Sequence, residues 1–100
     1  MSWANSYIVS LALGETVSFR PKGNSMKGKV ESGQLVTVAP PPEVLSEGMI
    51  VLCKVNGHQY LHLISAIGQD GRVQISNASG HVNGWCTKSN VFGVVTKVEA

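Results

Sequence analysis

The 100-residue chain carries eight Lys plus Arg against six Asp plus Glu, a formal charge of +2, and 43% of its residues are apolar. A chain of this length buries only roughly two-thirds of its unfolded surface, which leaves one core and excludes a second domain. The apolar content and the 14% of charged residues exclude intrinsic disorder, and the loose Lys22, Lys27, Lys29 group is too short for a duplex-tracking face, so no nucleic-acid partner is expected.

In residues 2–14, Trp3, Tyr7, Ile8, Leu11 and Ala12 recur at spacings of three and four. That period predicts a short amphipathic helix, with Ser2 as its cap and Gly14 as its stop. The apolar stretch 7–13 is broken by Ser10 and falls far short of the roughly 20 residues that span a bilayer. It follows no basic leader, so neither a membrane segment nor a secretory signal is expected, and the expected location is cytoplasmic.

From Thr16 onward, β-branched and aromatic residues come in short runs separated by Gly, Pro and Asn, which predicts strands. Residues 17–20 form the first and stop at Pro21; residues 23–33 read as a loop; residues 34–39 form the second and stop at Pro40-Pro41-Pro42. Residues 49–55 and 58–67 flank Asn56-Gly57, the dipeptide best suited to the two positive φ angles of a type I′ hairpin. Asp70-Gly71 repeats the turn signal before a strand at 72–76, and residues 91–98 close the chain. The expected architecture is mostly β, a small curled, barrel-like sheet with one N-terminal helix. Cys53 and Cys86 have no ligand-spaced partner, so neither a metal nor a cofactor is expected; the burial habit of free cysteine predicts reduced, buried thiols, with a disulfide between them as the alternative.

The stretch richest in chemistry is Gly23-Asn24-Ser25-Met26. Its serine follows a glycine at a strand-to-loop junction, where a hydroxyl can be reached. Gly23 allows close approach of the backbone to a carbonyl, the Ser25 amide can donate to an oxyanion, and Met26 can turn inward and fix the loop. By turn preference alone, a serine in a Gly-Asn loop is an ordinary turn residue. Likewise, a lone histidine such as His62 in an apolar strand is ordinarily a core residue with its hydrogen bonds satisfied.

The order of features adds to this reading. Gly23-Asn24-Ser25-Met26-Lys27, then Glu31-Ser32-Gly33-Gln34-Leu35-Val36, Leu45-Ser46-Glu47-Gly48-Met49-Ile50-Val51 and Tyr60-Leu61-His62-Leu63-Ile64 follow one another, with Val91-Phe92-Gly93-Val94-Val95 near the end. This succession resembles the peptidase domain of LexA-type self-cleaving repressors and type I signal peptidases. The resemblance implies a mostly β fold, Ser25 as nucleophile, and His62 as its base on the second strand of the central hairpin. Histidine fills that position in archaeal and endoplasmic-reticulum signal peptidases, lysine elsewhere in the family. An imidazole with an ordinary pKa of about 6.5 accepts a serine proton at neutral pH without the large depression that lysine needs.

The chain departs from the family pattern in three places. It has Gly33-Gln34 where the family shows Gly-Asp, Gly28 in place of a proline, and Asn77 or Asn83 in place of the aspartate that orients the histidine. Its single aspartate, Asp70, belongs to a hairpin turn. Gly23, Asn24 and Asn77 are the expected oxyanion and orienting residues, and Lys54 is an alternative base.

The resemblance further implies a peptide or protein substrate gripped by strand pairing, and a homodimer through the closing strand. In size the chain is nearest to UmuD-like proteins, which clip their own arm. Self-processing would then fall at Leu13-Gly14. Small free-standing copies of the domain occur in phage genomes, an origin that the resemblance allows. No DNA-binding domain or membrane anchor precedes the peptidase-like part, so those roles are expected of another polypeptide. The competing class is a module of the same fold that holds a peptide in the Ser25, His62, Asn77 pocket without cleaving it.

Overall fold

The computed structural model describes residues 3–100. One helix, α1 (Asn5–Ala12), precedes seven strands: β1 (Val17–Phe19), β2 (Leu35–Ala39), β3 (Ile50–Val55), β4 (His58–Ile67), β5 (Val73–Ser76), β6 (Val82–Cys86) and β7 (Val91–Glu99). A short 3-10 turn, Lys88–Asn90, leads into β7. The capping role expected of Ser2 lies outside the described residues; Ala4 holds the N-cap position without a side-chain cap. Gly14, at φ +86, ends the helix. Its N–H donates to Leu11 O, and that of Glu15 to Ser10 O, each at 3.0 Å, which satisfies carbonyls that the last turn leaves open.

The strands form one antiparallel sheet in the order β1-β2-β7-β3-β4-β5-β6. The expected curled, barrel-like closure does not occur: β1 and β6 are two separate edges that do not pair with each other. The reason is local. β1 is three residues long before Pro21 terminates it, and β6 is interrupted by a bulge, so neither edge offers the continuous ladder that closure requires.

β6 is also a strand that local sequence signals did not reveal. Gly84 sits in its middle at φ +143, and Val82 and Trp85 are exposed, so no apolar alternation marks it. The β3–β4 hairpin forms where Asn56-Gly57 predicts it, with φ of +50 and +83 at the turn.

Alternation along β3 divides the core between the two faces of the sheet. Leu52 joins Val36, Val38, Leu61, Phe19 and Leu11 on the face that carries α1, whereas Val51, Cys53 and Val55 join Ile64, Val73, Ile75 and Val91 on the other. Gly93 on β7 is what lets α1 approach so closely. A Cβ there would lie 2.6 Å from Val38 Cγ1 and 2.9 Å from both Ala39 O and Leu11 Cδ1. Because the Ala39 carbonyl is backbone and cannot swing away, Gly93→Ala is expected to cost about 1–3 kcal/mol. Thermal unfolding would read this as a midpoint lower by about 4–8 °C per kcal/mol. An unchanged midpoint would show that α1 does not seat on this position.

Two features of the ladder prepare the site. Pairing of β4 with β5 begins at Leu63↔Ser76, so residues 58–62 are paired to β3 on one side and have no strand on the other. In the β5–β6 ladder, Ile75 faces Gly84 and Ser76 faces Val82, so Asn83 is the unpaired residue of a bulge. A bulge redirects the side chain it carries.

Candidate active site

His62 lies on the half-open stretch of β4, opposite Val51, and is only 7% exposed. Its Nδ1 is 2.7 Å from Asn83 Oδ1, and its Nε2 is 3.1 Å from Ser25 Oγ. An amide oxygen can only accept, so Nδ1 must carry the proton donated to Asn83. In the neutral ring this leaves the Nε2 lone pair facing the serine, whose O–H donates to it. Tyr60, two residues earlier on the same face of β4, stacks on the imidazole with centroids 4.8 Å apart and planes 25° apart. Asn83 and Tyr60 between them restrict both the tilt and the rotation of the ring.

The Ser25 loop is anchored from below. Met26 and Val30 are buried in the core that α1 covers, and the Lys29 and Val30 amides both donate to Met26 O, at 2.9 and 2.8 Å. From the side, the Ala78 amide donates to Ser25 O at 2.9 Å. These contacts fix the serine beside the free edge of β4 although the loop itself is polar and aperiodic.

The other expected site residues are placed as follows. Gly23, at φ +116, uses its amide on Ser32 Oγ at 3.2 Å, and Asn24 uses its carbonyl on the Lys27 amide at 3.2 Å. The Ser25 amide makes no hydrogen bond to the described residues, which leaves that donor available. Asn77 is turned into its own loop: its Oδ1 accepts from the Ser79 amide and hydroxyl and from the His81 amide, at 3.1, 2.9 and 2.9 Å. Asn83 therefore takes the position beside His62, and Asn77 shapes the 77–81 turn. Lys54 is exposed on β3, on the opposite face from Cys53 and from Val51, the residue that faces His62. Asp70 accepts from the Arg72 amide at 3.1 Å in the hairpin turn.

The electrostatics suit a neutral histidine. Burial lowers the His62 pKa below its ordinary value, the bond to Asn83 opposes this by favouring the charged ring, and the charge of His81 adds to the lowering. Both cysteines are free and buried on the Cys53 face of the sheet. Burial pushes both thiols up, that of Cys53 far up with a further contribution from Cys86, while Arg72 only partly opposes the rise at Cys86. Neither can act as a thiolate nucleophile near neutral pH.

A cleft of about 510 Å³ opens on the pair. Ser25, Met26, Tyr60, Leu61 and His62 line one part of it, and Trp3, Tyr7 and Phe19 line another. The sequence offers both Asn77 and Asn83 for the place beside His62, and marks Tyr60 only as an aromatic ring two residues before His62 in a strand. The helical spacing of Trp3 and Tyr7 does not by itself place them at the cleft.

Compared with known proteins, the chain matches no family model, and no curated protein matches it significantly. Among the described residues, no helix is long and apolar enough to cross a membrane.

Proposed function

We propose that the chain is a serine peptidase domain of the LexA and signal-peptidase type, acting on peptide bonds through Ser25 and His62. The observation that carries this reading is the relay Asn83 Oδ1, His62, Ser25 Oγ, with its 2.7 and 3.1 Å steps, at the wall of an open cleft. In the proposed reaction Ser25 Oγ attacks the carbonyl carbon while His62 Nε2 takes its proton. The imidazolium so formed is held by Asn83 and then protonates the leaving amine, and water releases the acyl group by the same steps in reverse. The Ser25 amide is the available donor for the oxyanion. The strand edge at residues 58–62 supplies backbone groups on which an extended peptide can align.

Fluorophosphonate labelling followed by peptide mapping tests the reading. A single adduct on Ser25 is expected, and intact-mass analysis of the same sample over time also reads any cut at Leu13-Gly14. A wild-type protein that neither labels nor cuts peptides would overturn the proposal. It would leave a peptide-binding module, the second reading, which the amide rather than carboxylate beside Nδ1 favours.

The acid limb of activity follows from the direction of the His62 shift. The base must be neutral, and burial lowers its pKa, so the midpoint of the acid limb of kcat/KM is expected below the ordinary histidine value of about 6.5. Stability carries the same sign. With the folded pKa below the unfolded value, the unfolded chain binds more protons between the two, so stability is full above about 6.5 and declines as pH drops through that window. Among the described residues no carboxylate bonds to the ring, and His81 contributes charge to the shift. An acid limb centred above about pH 6.5 would contradict the assignment of His62 as base.

A further inference from the structure

We infer that the cleft selects peptides with a bulky apolar side chain, seated against Trp3, Tyr7 and Phe19, within a few residues of the bond that faces Ser25. This specifies the substrate class of the proposed peptidase and rests on that reading.

The three rings form a graded surface. Phe19 is buried at the end of β1, and Tyr7 stacks on it at 4.4 Å with planes 17° apart. Trp3 leans on both, 5.7 Å from Phe19 and 6.5 Å from Tyr7, each at 58°. The inner two rings are packed into the core under α1, while Trp3 remains 51% exposed and lines the cleft. A single exposed apolar residue on a convex surface has no particular meaning. Here the half-exposed Trp3 lines a concavity that Ser25 and His62 also line, the setting in which aromatic walls bind apolar groups and a few polar atoms set orientation.

The wall is also held at a defined place relative to the chemistry. Gln59 Nε2 on β4 donates to Asn5 Oδ1 on α1 at 3.0 Å, and Leu11 seats over Gly93. The strand that carries His62 therefore also positions the helix that carries Trp3 and Tyr7. Two of the charged groups lining the cleft are engaged locally: the Arg20 guanidinium donates to Gly33 O at 2.8 Å, and Glu31 accepts from the Gly28 amide at 2.5 Å, while Lys22 is a further charged lining residue. The three rings are the aromatic surface of the cleft and so its recognition element for an apolar side chain.

The test is cleavage of an acetyl-capped decapeptide library, read by mass spectrometry, with fluorophosphonate labelling of Ser25 run in parallel. Wild type is expected to prefer Phe, Tyr, Trp or Leu over Ala at one fixed position from the cut by about 10–200-fold in kcat/KM. Trp3→Ala should erase that preference, and Trp3→Phe should restore most of it. In a Ser25→Ala, Trp85→Phe background, Trp3 is the sole tryptophan, and its emission should shift with an apolar-side-chain peptide and not with its alanine analogue. If wild type labels but cuts the alanine analogues equally well, the inference is overturned and the peptidase reading stands. If nothing labels but Trp3 emission reports selective binding, the seat stands and hydrolysis is overturned. Loss of preference in Trp3→Ala that Trp3→Phe does not restore, or that accompanies a collapsed unfolding transition, would assign the ring a packing role only and overturn the seat.

Discussion

Ser25→Ala and His62→Ala are each expected to abolish peptide hydrolysis, with kcat lower by about 10⁶ in a fully competent site and the double variant no worse than either single one. The non-additivity follows from the geometry. Ser25 Oγ and His62 Nε2 share one proton across 3.1 Å, and a transfer that has lost either partner has nothing further to lose. The two variants should differ in stability. Ser25 is exposed in a loop held by Met26, Val30 and the Ala78 amide, so loss of its hydroxyl, which costs one part-buried bond to His62 beside an open cleft, should lower the unfolding midpoint only slightly. His62 is buried under Tyr60, and its truncation opens a void and orphans Asn83 Oδ1, so that midpoint should fall. Fluorophosphonate labelling and a peptide-cleavage assay measure the first effect, and thermal unfolding the second. Retained cleavage in Ser25→Ala would remove this serine from the chemistry altogether.

Asn83 is expected to have the next largest effect, with opposite signs for two substitutions. Asn83→Leu removes the acceptor at 2.7 Å and leaves the Nδ1–H of a buried ring unpaired, which costs about 1–3 kcal/mol of stability. The imidazole is then free to place its proton on Nε2, the wrong atom for a base, and a loss of about 10²–10⁴ in kcat is expected by analogy with tautomer errors in Ser-His-Asp sites. Asn83→Asp keeps the acceptor and adds a charge that stabilises the imidazolium, so kcat should rise. Because Asn83 already selects the productive tautomer, that gain is limited to about 10–100-fold, less than the full span of an Asp-to-Asn exchange. The acid limb of the pH profile should move up in Asn83→Asp and down in Asn83→Leu. Identical limbs in the two variants would show that Asn83 does not act through His62. In that case the 2.7 Å bond would serve only the β6 bulge.

The site sits where three unrelated local irregularities meet: a loop entered through a left-handed Gly23, a strand that outruns its neighbour β5, and a bulge that puts Asn83 out of register. Each follows simple rules, but their coincidence is a property of the assembled sheet. Had β5 extended past Ser76, it would have occupied the edge of β4 now beside Ser25 and His62, and the cleft would be filled by sheet.

Features controlled by neighbouring residues could be read directly from the chain. Asn56-Gly57 requires two positive φ angles, and the hairpin turns there. Pro21 stops β1, Gly14 ends α1, and the β-branched runs become the predicted strands at 2, 3, 4, 5 and 7 to within a residue or so at either end. The order of short motifs also picked out Ser25 and His62, although they are 37 positions apart. What the chain did not disclose depends on pairing between distant segments. β6 has no alternation because its bulge and Gly84 break the period of two, so only its ladder to β5 defines it. The choice between Asn77 and Asn83 turned on a single register slip, and the open edges of the sheet turned on which strands failed to meet. Dihedral preferences and turn chemistry act within a few residues and so are written along the sequence. Which strands adjoin, and where a bulge aims a side chain, are settled only when non-local hydrogen bonds form and the core packs, and so belong to the tertiary structure alone.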